Sequence, residues 1–526
     1  RIGAGLVVIL ALSISISGYF NWRLTRENRN LVNQLVRVME DSKIARQSVD
    51  KINKEKEELN SRLLHIQDEI KKAEDEKKQL SEELLRMQLA IERRHVDEAA
   101  VRDDTQQLTL LIERLKREKG VLEEELFNLQ RKESNATENL LVLDRKKIAI
   151  QQATFDNMYQ WLVRHQNPRT GLILSFEGDN DIAKWGFTYD QALVTCLYSY
   201  SGDFQKAQRI LDFFQYRAKR VDGAFINAYY VDDGQPAEYV VHSGPNIWLG
   251  IAIMQYMQKT GDSRYLDLAR HIADWVISIQ KEDKEGGIRG GPTVSWYATE
   301  HNLDAYSFLT MLYQKTGNQS YRQSADKIVG WLLRHTYDRP DVPVKRGKGD
   351  STIATDTYAW SIAALGPAKL EEIGMSAQDI MKFAEESCEV EVDFMRPERK
   401  YVRIKGFDFA AQKNLARGGV VSCEWTAQMI LSFKIMADYY RLKQALSLAE
   451  SYQNKAEGYL LELSKMIISS PSPSGQGRGC LPYASHDFVD TGHGWLTPKG
   501  SSTGSVSATA YTILAYYGNN PLQLKE

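Results

Sequence analysis

The chain is predicted to be all-α: a long helical stalk leads to paired helices that close into a ring around a cavity. Three observations predict it. Between Gly18 and Pro168 the only glycine or proline is Gly120, so nothing interrupts a helix there. Apolar residues recur at every seventh position from Leu24 to Ile150, with Arg94 as the exception. Residues 257–275, M-Q-K-T-G-D-S-R-Y-L-D-L-A-R-H-I-A-D-W, are written again at 313–331 as Y-Q-K-T-G-N-Q-S-Y-R-Q-S-A-D-K-I-V-G-W. A repeat of this length is one packing unit.

The first element, residues 1–22, reads as a membrane anchor. Ile2 to Phe20 is an uncharged run of 19 residues, enough for a helix to cross roughly 28 Å of hydrocarbon, with Tyr19 and Trp22 placed for the interface. No small-residue cleavage site of the signal-peptide kind stands out. Arg23, Arg26 and Arg29 leave the orientation open; a single-pass protein with its distal domain extracytoplasmic is the expectation.

The second element, residues 23–151, is the stalk. Leu31, Val38, Ile52, Leu59, Ile66, Leu80, Leu108, Leu115 and Leu122 represent one heptad series. Leu35, Leu63, Ile70, Ile112 and Leu126 lie in the companion series, interrupted by Ser42, Lys56, Lys77 and Lys119. This is the seam of a left-handed coiled coil, and polar residues within it favour a parallel dimer over larger bundles.

Residues 152–526 form the third element. In the repeat, Tyr265, Ala269, Ile272 and Trp275 share one helical face, as do Tyr321, Ala325, Ile328 and Trp331, and each set follows a Thr-Gly that stops an earlier helix. The pattern predicts about twelve helices, hence six hairpins. The inner helices are expected to open near 187, 244, 300, 355, 424 and 503, all toward one rim.

Composition excludes little. Apolar residues make up 43% and charged residues 26%, and a net charge of −2 provides no electrostatic case for nucleic acid. The four cysteines lack C-x-x-C spacing, so no structural zinc site is expected, and the reading requires neither metal nor cofactor. The glycine-rich stretches at 286–292 and 475–479 lack the lysine-serine pair of a phosphate loop; Arg289 or Arg478 in them could meet an acidic sugar.

The segments leading into the six inner helices hold the unusual residues: W-G-F-T-Y-D (185–190), H-S-G-P-N-I-W (242–248), W-Y-A-T-E-H-N-L-D (296–304), T-D-T-Y-A-W (355–360), C-E-W (423–425) and G-H-G-W-L-T-P (492–498). On this layout the chain resembles the six-hairpin glycosidase-like superfamily, the (α/α)6 toroids, over roughly residues 152–526. The resemblance implies a substrate cleft at the N-termini of the inner helices and hydrolysis by two carboxylates.

Glycoside hydrolysis needs a protonated carboxyl at the leaving oxygen and a second carboxylate that activates water or attacks the sugar. The candidates are Glu300 as acid and Asp356 as base, with Asp190 and Glu424 as alternates. Substrate contacts are expected from His301, Asp304, Trp185, Tyr189, His242, Trp248, Trp296, Tyr297, Trp360, Trp425 and Trp495, since indole faces stack on pyranose rings. An acid in a first helical turn is also what capping and the helix dipole favour. The expected partner is an oligo- or polysaccharide. Epimerisation or lyase chemistry through His242 and His301, or a non-catalytic sugar-binding head, are the other readings; cyclisation of terpenes would want a D-x-D-D run that is absent.

Overall fold

A computed structural model describes residues 52–86 except 53, 56 and 84, and residues 102–524 except 178, 180, 183, 338–341, 397–398, 469–478 and 499–502. Two compact units result, one holding the described residues up to Thr154 and the other starting at Phe155. The proposed anchor Ile2–Phe20 lies outside the described residues. Among those that are described, no helix is long and apolar enough to cross a membrane.

In the first unit, helix α1 (57–83) packs on α2 (Arg102–His165). The buried side chains include Ile52, Ala73, Ile112, Leu115 and Ala136, all at seam positions of the heptad, while residues between them face solvent. The seam is therefore real, but its pairing differs from the expected parallel dimer. Gln67 Nε2 donates to Glu133 Oε1 at 3.1 Å, Lys77 lies 3.3 Å from Glu123, and Leu80 packs on Ile112 and Leu115. Numbers that rise on one helix and fall on the other mean that the segments run antiparallel within one chain.

The second unit is a ring of hairpins. After the last turns of α2, α3 (Thr188–Tyr200) pairs with α4 (Phe204–Tyr216) and α5 (Ser243–Thr260) with α6 (Leu266–Glu282), and α7 (Thr299–Thr316) packs on the helix that follows it. Next come α8 (Gln319–His335) with α9 (Thr355–Trp360), a π turn at Ser361–Leu365 and α10 (Gly366–Glu372). Then α11 (Ala377–Cys388) precedes α12 (Cys423–Leu442), and α13 (Leu446–Ser464) precedes α14 (Val506–Tyr517). The inner helices α3, α5, α7, α9, α12 and α14 each pack on the next, and α14 returns to α3.

Burial follows position. Inner helices α3, α12 and α14 are buried nearly all round, whereas the outer ones bury one stripe: Ala207, Ile210 and Phe213 on α4, Ala269, Ile272 and Trp275 on α6, Ala325, Ile328 and Trp331 on α8. The repeated Thr-Gly stops end α5 and α7, with Gly261 at φ 72° and Gly317 at φ 69°, a conformation that costs a glycine little.

Backbone hydrogen bonds close the ring. The first amide of each inner helix donates to the segment leading into the next: Thr188 to Asn227 O, Ser243 to Gly290 O, Thr299 to Arg346 O, Thr355 to Phe409 O, Cys423 to Tyr483 O, and Val506 to Ser175 O, at 2.8–3.2 Å. All six N-termini consequently share one rim. A polar side chain one turn in then clamps the helix's own lead-in: Gln191 accepts from Ile173 N, Asn246 from Phe225 N, Asn302 from Ile288 N, Thr426 from Phe407 N, and Thr509 from Leu481 N, at 2.8–3.0 Å.

Short antiparallel strands decorate the connections, which a purely helical expectation leaves out. Glu389–Met395 pairs with Tyr401–Phe407, register Glu389 to Phe407. Their alternation buries Val392, Phe394, Ile404 and Phe407, while Arg403 bridges Glu391 and Asp393 outside. Three-stranded sheets join 176–177, 504–505 and 481–482, and 185–187, 228–230 and 236–238. All four cysteines are buried free thiols.

Two outcomes check these features. Asn246→Ala and Asn302→Ala each strand a buried backbone amide and should destabilise the chain by about 1–3 kcal/mol in urea unfolding. Carbodiimide treatment should link Lys77 to Glu123 within a monomer band; recovery of that peptide pair only from crosslinked dimers would reject the antiparallel hairpin.

Candidate active site

Four carboxyl groups from four different inner helices converge where the rim opens: Asp190 on α3, Glu300 on α7, Asp356 on α9 and Glu424 on α12. Each sits in a first helical turn, so the closed ring delivers them to one place. Asp190, Asp356 and Glu424 are buried, whereas Glu300 keeps partial access to the cleft.

Glu300 and Asp356 share a hydrogen bond. Burial, then the neighbouring charges of Asp356 and Asp304, hold the Glu300 proton well above the usual carboxylate range. Asp356 is pushed up to about 6 by burial, offset by the Arg346 guanidinium and by hydrogen bonds with Glu300 and the Thr357 amide, the latter 2.7 Å away. Glu300 is thus the protonated member and the donor.

Glu424 is held separately. Its Oε1 accepts from the Tyr189 hydroxyl at 2.5 Å and from Gln428 Nε2 at 3.3 Å, with Ser507 also bonded; burial still raises its proton affinity. Asp190 is pushed up to about 8 by burial, against a hydrogen bond from Ser175.

Asp304 lies one turn below Glu300 and has no access to solvent. Its Oδ1 accepts from Trp360 Nε1 at 2.6 Å, and burial holds it protonated. Expected as a substrate contact, it belongs instead to the floor of the cleft. Trp248 and Trp360 pack ring against ring at 5.9 Å, Tyr511 stacks on Trp360, and all three are buried, so these tryptophans also close the floor and are out of a sugar's reach. Trp425 is buried with Phe409, Val420 and Ala484. Tyr297 packs on Trp331 and under Lys348, away from the carboxyls. Trp296 and Trp495 are 45% and 46% exposed and stand at the mouth, and Trp185 is half-buried on a strand beside Phe187 and Tyr230.

His301 adjoins Glu300 and reaches Ser243. The Ser243 hydroxyl donates to Arg289 O at 2.7 Å, so the imidazole Nδ1, 2.9 Å from Ser243 Oγ, must be the donor there. Nε2 then bears the lone pair, and burial with the nearby His242 and Arg346 lowers His301 to about 3, keeping it neutral. Residue 244 must be glycine, because a Cβ there would lie 2.5 Å from His301 Nε2. His242 caps α5, half-buried, with its ring 6.1 Å from that of Trp296.

Sequence reasoning missed two residues of the mouth. Arg346, from the segment before α9, bonds Asp350 at 3.0 Å and reaches the carbonyls of Gly492 and His493 at 3.4 Å, with its charge felt by Asp356. Tyr483, before α14, is close enough to sense Glu424, Asp190 and Glu300, and its hydroxyl bonds the Trp495 indole. Both lie in irregular segments where no periodicity marks them. Among the described residues no cluster of three or more histidine, cysteine or acidic side chains is arranged for a metal ion.

No protein-family profile matches the chain, and no curated protein is significantly similar to it. Solved structures do resemble it. A D-mannose isomerase superposes with a TM-score of 0.52 at 11% identity, covering 70% of this chain and 96% of that one. A wild-type glycosidase reaches 0.50 at 11% identity, again covering 70% and 96%. At such identities the likeness is one of fold.

The carboxyl cluster makes stability depend on pH. An acid whose proton affinity rises on folding makes the native state the better proton binder, so stability must fall as pH rises from the unfolded value of 3.8 through about 6 for Asp356 and about 8 for Asp190. Thermal melts should show lower stability at alkaline than at mildly acidic pH. Asp190→Asn should flatten that slope and stabilise the alkaline form by roughly 1–3 kcal/mol; an unchanged slope would show that Asp190 is ionised in the fold.

Proposed function

We propose that the chain is a carbohydrate-active enzyme that hydrolyses glycosidic bonds at the rim of its helical ring. The observation that carries this reading is the separation of roles among the converged carboxyls. Glu300 keeps a proton and partial access to the cleft, as a general acid must. Asp356, pressed against it and balanced by Arg346, acts through Glu300 as a positioning residue that holds the proton in place. Glu424, oriented by Tyr189, Gln428 and Ser507, is the second carboxylate, activating water or attacking the sugar; Asp190 supports it from the neighbouring helix.

The reading revises the initial pairing of Glu300 with Asp356, because direct contact within that pair suits proton storage better than opposed attack. The fold's occurrence in a glycosidase and a sugar isomerase is compatible with either chemistry. The second reading, sugar isomerisation, takes neutral His301, next to Glu300 in the chain with Nδ1 bonded to Ser243 Oγ, as the proton-handling residue.

We also propose that Ile2–Phe20 tethers the enzyme to a membrane with the ring extracytoplasmic, on the strength of its length and lack of charge.

The full chain should release reducing ends from a panel of polysaccharides. Glu300→Gln and Glu424→Gln should each lower kcat by about 10²–10⁴-fold, with a smaller loss for Asp356→Asn. Full turnover in Glu300→Gln would refute the hydrolytic assignment. Isomerised sugar that vanishes in His301→Ala would establish the second reading instead.

A further inference from the structure

The end of the ring away from the rim is crossed by the segment that follows α14. This helix stops at Gly518, φ 64°, and the Asn519 amide donates back to Leu514 O at 2.9 Å, which turns the chain inward. Asn520 Nδ2 then donates to Ala363 O at 2.7 Å and Gln523 Nε2 to Ala364 O at 3.1 Å, both in the π turn that follows α9. From α5, Gln255 Nε2 donates to Pro521 O at 2.8 Å and to Gln523 O at 2.9 Å. Asn519, Asn520 and Leu522 are buried, with Leu522 in the main core. In the order α3, α5, α7, α9, α12, α14, the three helices so joined are alternate members, so residues 519–524 brace the ring across its width.

The sequence at the π turn shows why its carbonyls need outside donors. In a continued α-helix Ala363 O would accept from the amide of residue 367, which is proline and has none, and Gly366 at φ 78° breaks the spiral. A buried carbonyl without a donor is costly, and Asn520 supplies one. Asp356 belongs to the same stretch of chain, about 10 Å from Ala363 at 1.5 Å per residue. α9 has only 6 residues, too few to hold itself by internal bonds, so its rotation is set by what grips it. At the rim Thr355 N donates to Phe409 O; midway, Trp360 bonds Asp304 and Ser432 bonds Ala359 O; at the far end stands the 519–524 brace.

We infer that Asn520 and Gln523 are positioning residues of the reaction: by completing the π turn they fix the rotation of α9 and hold Asp356 in hydrogen-bonding register with Glu300, acting from the opposite end of the ring. Gln255 anchors the segment that carries them. This deepens the proposed function and rests on it for the reaction that the register serves; the bracing of α9 stands on the hydrogen bonds alone.

The test uses the full chain carrying Asn520→Asp, which keeps the side chain's shape and its acceptor for the Leu522 amide but removes the donor to Ala363 O. Gln523→Ala is the milder variant, at an exposed position, and Ile272→Val in the buried stripe of α6 is the control for general destabilisation. Amide hydrogen exchange read by mass spectrometry should show residues 357–365 exchanging at least about fivefold faster in Asn520→Asp, with α7 and α12 unchanged. On a glycoside that the unsubstituted chain cleaves, kcat should fall about 5–50-fold at nearly constant KM. The alkaline limb of the pH profile should also move to lower pH, because Glu300 holds its proton partly through the charge and hydrogen bond of Asp356. Ile272→Val should lower the melting temperature without moving that limb. The inference fails if exchange at 357–365 is unchanged, if it rises equally in α7 and α12, or if kcat and the limb both stay where they were in folded Asn520→Asp. Should Asn520→Asp not fold, Gln523→Ala decides by the same readouts. An unsubstituted chain that cleaves no glycoside would remove the hydrolytic reading alone, and the exchange result would then decide this one.

Discussion

Six backbone hydrogen bonds, each passing from the first amide of one inner helix to the segment that leads into the next, hold the active face together. An α-helix leaves its first amides without internal partners, and here the first of those donors is used to build the ring. Because each bond joins an N-terminus to the approach of its neighbour, six helices start at one level. The lead-in segments, pinned again by Gln191, Asn246, Asn302, Thr426 and Thr509, become a crown of short strands and turns over that level. Without that arrangement, Asp190, Glu300, Asp356 and Glu424 would be four unrelated acids near helix starts.

Bringing them together sets two effects against each other. Helix N-termini favour a carboxylate, each by about 0.3–1 kcal/mol and at most ~2 kcal/mol. Withdrawing an ion from water costs several kcal/mol, and the cluster adds mutual repulsion. Burial wins, so protons are retained on Glu300, Asp304 and Asp190. A fold optimised for stability alone would replace these acids with apolar side chains; their retention beside a floor of Trp248, Trp360 and Tyr511 is what a site for proton transfer requires.

The stalk illustrates a different limit. Heptad spacing determines which side chains seek cover, and the buried residues of the described hairpin are the seam residues. The spacing is the same read in either direction and cannot say whether the covering helix runs parallel from a second chain or antiparallel from the same one. Contacts between Gln67 and Glu133 and between Lys77 and Glu123, far apart in sequence, decide it.

The sequence alone determined the six helical hairpins, the stripes of the outer helices, and the starts of the inner ones to within about three residues, because helix period, capping and glycine stops are local properties. It also placed the four acids on one rim, since the repeat dictates direction. Depth and partners were decided by the tertiary structure. Asp304 is a single turn from Glu300, about 5–6 Å along the axis, and that step separates the cleft from the core. Trp248, Trp360 and Trp425 resemble Trp296 and Trp495 in sequence context, yet burial divides them. Arg346 and Tyr483 come from irregular segments, and Asp356 is hydrogen-bonded to Glu300. Such outcomes depend on which helices become neighbours when the ring closes, and no local pattern encodes a distance between residues on different helices.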